Sequence, residues 1–248
     1  VTLTASATDN TLSPLAISPA SIVANNAEMS TLTLTMKDAN SNAITGLAST
    51  LSFDVKDSHN AVPANGKITV TSVTENGVSG VYTATLKGML ADTYTVKPQR
   101  DGANIGTLSG TVTLTAGVPD TGSTTTFEAS PRSIVADNTA TSTLTLTAKD
   151  SFGNVISGIA GSLSISVKNS EGATPPTGEV TLSNVTENGT SGVYSATLKG
   201  TLAGAYTVKP MLDGNAIGSL SDTVTLTAGT TPDGVLSGFT ATPTTIEA

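Results

Sequence analysis

The second half of this chain repeats the first, and that constraint precedes any other. Ser130-Pro131-Arg132-Ser133-Ile134-Val135-Ala136 echoes Ser18-Pro19-Ala20-Ser21-Ile22-Val23-Ala24, and the match holds at a constant offset of roughly 112 residues almost to the end. Ser142-Thr-Leu-Thr-Leu-Thr147 copies Ser30-Thr-Leu-Thr-Leu-Thr35, and Thr186-Glu-Asn-Gly189 copies Thr74-Glu-Asn-Gly77. About three-fifths of the aligned positions are identical, far above chance for stretches this long. Two domains of ordinary size, each with its own core, are expected. Joining one structural unit to itself favours length and continuity, and it seldom creates a pocket.

The ends of the chain extend the pattern. Val1-Thr-Leu-Thr-Ala5 recurs as Val112-Thr-Leu-Thr-Ala116 and Val224-Thr-Leu-Thr-Ala228. Phe239, Pro243 and Ile246 fall where Phe127, Pro131 and Ile134 would place them. The expected division is therefore the end of a preceding repeat at 1–9, domains at 10–118 and 119–230, and the start of a following repeat at 231–248. Such a chain reads as part of a longer array.

Hydrophobic periodicity is two nearly everywhere, which points to half-buried strands. Leu32, Leu34 and Met36 alternate with threonines, as do Leu144, Leu146 and Ala148. Leu51, Phe53 and Val55, with Leu163, Ile165 and Val167, form a second inward row. Tyr82, Ala84 and Leu86, Tyr94 and Val96, and Val112, Leu114 and Ala116 continue it. Turn signals separate the rows at Asp38–Asn42, Asp150–Asn154, Glu75-Asn76-Gly77 and Asp101-Gly102. Seven to nine short strands per unit predict an all-β chain of tandem antiparallel β-sandwiches with Greek-key links. With aromatic content of 3% and no Trp, each core must be built mainly from aliphatic side chains. Phe127, Phe239 and Leu15 follow the short polar connectors and are expected to plug junctions between repeats. A strand of nine or ten residues spans about 30–35 Å, so each unit of a linear array would add roughly 40 Å of reach.

The order and spacing of several strings resemble the group 1 bacterial Ig-like domains of invasin- and intimin-type outer-membrane adhesins. The matching residues are Ser133-Ile-Val-Ala-Asp-Asn138, Ser142–Asp150, the Phe152–Gly158 turn, Gly192–Leu198 and Ala203–Val208. The first copy departs slightly, with Asn25 in place of Asp137 and Ala39-Asn-Ser41 in place of Ser-Phe-Gly. The resemblance implies an Ig-like fold in the passenger of a Gram-negative adhesin, exposed at the cell surface and anchored in the outer membrane. It implies a stalk role for these repeats, with a host-cell surface protein or glycan engaged through other parts of the parent. The alternative is that the repeats themselves bind a receptor, matrix component, glycan or partner copy.

Chemistry is sparse. Cysteine is absent, which removes disulfides and thiolates. A net charge of −8 disfavours nucleic acid and anionic lipid as partners. No run approaches the ~20 apolar residues of a membrane span, so no direct insertion is expected. His59 is the one histidine and faces Glu171 in the other copy; it reads as a solvated loop residue. Zinc needs several His or Cys ligands, and this chain lacks them. Asp9, Asp120 and Asp233, with Glu128 and Glu247, would be calcium ligands only in a spacing unlike any specific loop, and they read as turn formers. Asp38 and Asp150 read the same way. A Lys–Asn cross-link using Lys37, Lys87 or Asn76 and their counterparts competes with the hairpin role of Asn-Gly. No catalytic, cofactor-binding or metal residue is assigned, no enzymatic activity or cofactor is expected, and a monomer is. The segments that differ most between copies, 59–65 against 171–177 and Gln99-Arg100 against Met211-Leu212, are the first candidates for a binding surface.

Overall fold

Alternation of threonine with aliphatic residues becomes, in the computed structural model, a pair of two-layer sandwiches. The structure describes residues 13–230, 236–238, 240 and 242. Among the described residues two compact units emerge: 13–119 together with 149–156, and 120–148 together with 157–230.

In the first unit, one sheet runs β1 (Leu15–Ser18), β3 (Ser30–Thr35), β7 (Val81–Gly88), β5 (Ile68–Val70), with β6 (Thr74–Glu75) also on β7. The facing sheet runs β2 (Ser21–Val23), β10 (Gly110–Thr115), β8 (Asp92–Arg100), β4 (Leu51–Lys56), with β9 (Ala103–Asn104) on β8. The second unit repeats this order. Its first sheet is β11 (Thr126–Ser130), β13 (Ser142–Thr147), β17 (Val193–Gly200), β15 (Val180–Leu182), with β16 (Thr186–Glu187). Its second is β12 (Ser133–Val135), β20 (Asp222–Thr227), β18 (Gly204–Leu212), β14 (Leu163–Lys168), with β19 (Asn215–Ala216).

The expected all-antiparallel sandwich needs one amendment. β2 pairs with β10, and β12 with β20, in parallel. The chain leaves the first sheet at Pro19 or Pro131, each after a cis peptide bond, and crosses to the edge of the other sheet. Proline has no N–H to donate, so the ladder of β1 or β11 breaks there.

The inward rows pack as their period requires. Leu32, Leu86, Tyr94, Val96 and Val112 of the first unit are completely buried and share one cluster with Ile22 and Leu114. Leu34, Met36, Leu51 and Tyr82 continue the core toward the other end of the strands. In the second unit Leu144, Leu198, Val208, Val224 and Leu226 form the same seam. Phe127, expected at a junction, instead lies on the inward side of β11 and packs into its own unit's core. It shares a small apolar space with Leu144, Leu146 and Tyr194. The strand alternation decides this: Phe127 and Ala129 point inward while Glu128 points out. Phe239 lies outside the described residues.

The tyrosines finish the core at its rims. Tyr82 is buried, and its hydroxyl donates to Ile44 O at 2.8 Å and accepts from Leu47 N at 3.1 Å. Tyr94 and Tyr206 donate to Leu90 O and Leu202 O. Tyr82→Phe strands both groups in the 44–47 loop, so a loss of about 1–3 kcal/mol is expected. A lower urea midpoint at unchanged slope would register it. Leu144→Ala empties part of the second seam and should cost about 2–5 kcal/mol in the same measurement.

Candidate functional site

The loop after β4 carries the most distinctive chemistry of the first unit. Asp57 stops the strand by turning its side chain onto the backbone ahead: its Oδ1 accepts N–H bonds from His59 at 2.9 Å and Ala61 at 2.8 Å. The backbone closes the same turn, Asp57 N to Ala61 O at 2.9 Å, with Asn60 in the left-handed region at φ 60°. In the second unit Asn169 builds this turn through its own Oδ1, bonded to Glu171 N and Ala173 N. The turn geometry is shared, and the charge is not. His59, Asn60, Ala61 and Val62 are exposed.

Asp92, the first residue of β8, sits against this loop because β8 runs antiparallel beside β4, with Lys56 opposite Thr95. Its Oδ2 accepts from Ser58 N at 3.3 Å and its Oδ1 from Thr93 N at 2.7 Å. Partial burial pushes its carboxyl up, but hydrogen bonds from Ser58 and Thr93 and the nearby His59 outweigh that and hold it below its ordinary value. One ligand-type atom each of Asp57, His59 and Asp92 lies within 4.8 Å of the other two. Behind them, burial pushes the Tyr94 hydroxyl up to about 12, helped by the charges of Asp92 and Asp57.

The two variable segments do not meet. Leu51 pairs with Arg100 and Lys56 with Thr95, so the 57–65 loop and Gln99-Arg100 occupy opposite ends of the same strand pair. Gln99 bonds Asn104 across a hairpin, and Arg100 stands 3.7 Å from Asp101. Met211 and Leu212, their counterparts, are half-buried.

Other candidate residues brace the fold. Asp38, almost wholly buried, accepts N–H bonds from Asn40 and Asn42 and the Asn42 side chain. Asp150 does the same with Phe152 and Asn154, and also accepts from Gly117 N at 3.0 Å. Asn154 bonds Ala91 N and Met89 O, which is why residues 149–156 group with the first unit. Asp120 caps its own turn, accepting from Ser123 N, Thr124 N and Thr124 Oγ1. Glu128 lies on the exposed side of β11. Asp9, Asp233 and Glu247 lie outside the described residues. Asn76 and Asn188 are exposed in hairpin turns, in line with their Asn-Gly role.

The Thr-Glu-Asn-Gly string has a further role that turn chemistry alone does not reveal. Glu75 accepts from Gly46 N at 2.8 Å and Gly80 N at 3.2 Å, tying two loops together, and Glu187 repeats this with Gly158 and Gly192. The open side of the second sandwich holds a depression of about 210 Å³ lined by Ile165, Val167, Thr174, Pro175, Val180 and Leu182. None of these six side chains ionises.

Comparison with known proteins follows the same outline. The model of invasin domain 3 matches residues 9–117 and again 121–229. Over 221 residues the chain is 29% identical to the inverse autotransporter adhesin YeeJ of Escherichia coli strain K12, covering 89% of this chain and 9% of that protein. The crystal structure of invasin, a bacterial integrin-binding protein, aligns with a TM-score of 0.71 at 29% identity, over 89% of this chain and 41% of that one. The Escherichia coli adhesin FdeC aligns with a TM-score of 0.67 at 28% identity, covering 92% and 67%. The chain thus spans a small part of YeeJ and less than half of that invasin structure.

These bracing carboxylates set an acid limit. Hydrogen bonds from Thr124 and Ser123 pull Asp120 down to about 2, and those from Ala140 and Thr139 lower Asp137. Burial opposes the shift at Asp150 and Asp222, yet their hydrogen bonds, and Arg132 at Asp222, lower both. A depressed folded-state value stabilises the fold above the unfolded value, near 3.9, and that gain fades as pH falls through the folded value. The melting temperature should therefore hold from about pH 7 to 5 and fall progressively between about pH 4 and 2. Asp150→Asn should lower it at neutral pH and flatten part of the acid slope, as a calorimetric pH series would show.

Proposed function

The chain belongs to the invasin domain 3 family, matched in both of its repeats, and from that premise we propose that it is a stalk segment of a bacterial surface adhesin. In this reading the repeats, taken as 10–118 and 119–230, project a distal binding domain away from the outer membrane. They act outside the cell as spacers, and receptor contact and membrane anchoring belong to other parts of the parent protein. No reaction is catalysed.

The observation that carries the reading is the duplication of one closed sandwich, with the same strand order and the same bracing turns in both units. A spacer needs the same sealed module many times over. Its interior is filled, and its carboxylates are largely engaged in holding loops. YeeJ and FdeC, named as adhesins, support the adhesin part of this reading.

A second reading, that the repeats themselves bind, draws support from the 59–65 loop. It differs from 171–177 in sequence and charge while the turn beneath keeps one geometry. Removing both repeats from the parent adhesin should leave its soluble binding domain's receptor affinity unchanged while attachment of whole bacteria drops. Saturable binding of the isolated 248-residue chain to host cells or a glycan array, abolished by replacing 59–65 with 171–177, would overturn the spacer reading.

A further inference from the structure

We infer that Asp57, His59 and Asp92 form a site for one divalent transition-metal ion of the zinc type. A single histidine in a chain without cysteine looks inadequate for such an ion. The fold alters that by bringing two carboxylates to the histidine, one from the turn after β4 and one from the start of β8.

Three features favour a metal over a mere acidic surface. The donor set mixes one imidazole nitrogen with two carboxylates, which suits zinc, copper or nickel better than calcium or magnesium. Two carboxylates also balance a dication when the imidazole is neutral, as ligation requires. Among the described residues, neither Asp57 nor Asp92 has an ion pair with Lys or Arg. Their mutual repulsion is offset by the histidine, backbone N–H groups and the Ser58 hydroxyl, which also lies 3.3 Å from His59 Nδ1.

The carboxylates are also held in place. Asp57 is oriented by His59 N and Ala61 N, and Asp92 by Ser58 N and Thr93 N. An ionised carboxylate keeps further lone pairs after such bonds, and supporting bonds of this kind fix ligands around metals. Ligands about 2.0–2.2 Å from zinc in a tetrahedron stand roughly 3.3–3.5 Å apart. The observed spacing, up to 4.8 Å, must therefore contract by up to about 1.5 Å. Rotation of the exposed His59 side chain can shorten its own distances to the carboxylates, and the Asp57 and Asp92 carboxyl groups must turn toward each other for the rest. Water, or a donor from another molecule, would fill the fourth position.

The second unit is an internal control. Asn169, Glu171 and Gly204 stand at the three positions, on the same turn and the same strands. Imidazole is absent there, and so are both aspartates.

Isothermal titration of the untagged 248-residue chain with zinc chloride should show one saturable equivalent, reversed by a chelator. His59→Ala and, separately, Asp92→Gly, the residue the second unit already uses, should each weaken binding by roughly tenfold or more. His59→Ala should melt like the parent in metal-free buffer, whereas Asp92→Gly, which gives up the bonds from Ser58 N and Thr93 N, should melt somewhat lower and is titrated well below its melting temperature. Placing Asn169→Asp, Glu171→His and Gly204→Asp together in the second unit should create a second equivalent. Absence of a saturable equivalent, zinc affinity unchanged by His59→Ala, or equal affinity for calcium would overturn the assignment.

Discussion

Everything in this molecule depends on the aliphatic seam between two short-stranded sheets. Strand side chains alternate between faces, so slipping a strand by one residue would put its threonines inside and its leucines in water. With each buried Val or Leu contributing about 1.5–3 kcal/mol, such a slip is prohibitive. The register Leu32 opposite Ala84 and Leu34 opposite Tyr82 is therefore imposed by burial, and Leu144 opposite Ala196 repeats it. Glycine lets the sheets approach closely at one point of the seam. At Gly88 an added Cβ would lie 2.8 Å from Leu114 Cδ2 of the facing sheet and from Lys67 O.

Filling the interior with aliphatic groups leaves the polar side chains to hold the ends together. Tyr82 reaches from the core to the 44–47 loop, and Glu75 ties that loop to its own hairpin. Asp38 and Asp150 close corner turns from nearly buried positions. Most of these bonds join a side-chain acceptor to backbone N–H groups that would otherwise be stranded. Charge invested this way stabilises loops, which fits the stalk role proposed above. The 57–65 loop differs because its one carboxylate, Asp57, lies near Asp92 of β8 and His59 and not near a cation.

The inward rows were legible because they follow a period of two with few interruptions. Leu32, Leu86, Val96, Val112 and Leu114 lie where that period puts them. Tyr82 and Tyr94 could likewise be placed inside, with hydroxyls at the rim. Phe127 could not be assigned correctly by its position after a linker; the alternation of its own strand turned it inward. The parallel pairing of β2 with β10 was hidden too, since Ser21–Val23 is three residues long and its partner lies far along the chain. Nor does a string such as Thr-Glu-Asn-Gly disclose that its glutamate spans two loops.

Local sequence determined the repeat, the strand content, the inward rows and the turns, because these depend on residues within a few positions of each other. Tertiary structure alone decided which edges pair, where the 57–65 loop lies relative to Gln99-Arg100, and that Asp92 joins Asp57 and His59. The last two follow from antiparallel pairing of β4 with β8, which places residues such as Lys56 and Thr95, or Leu51 and Arg100, side by side although they lie far apart in the chain.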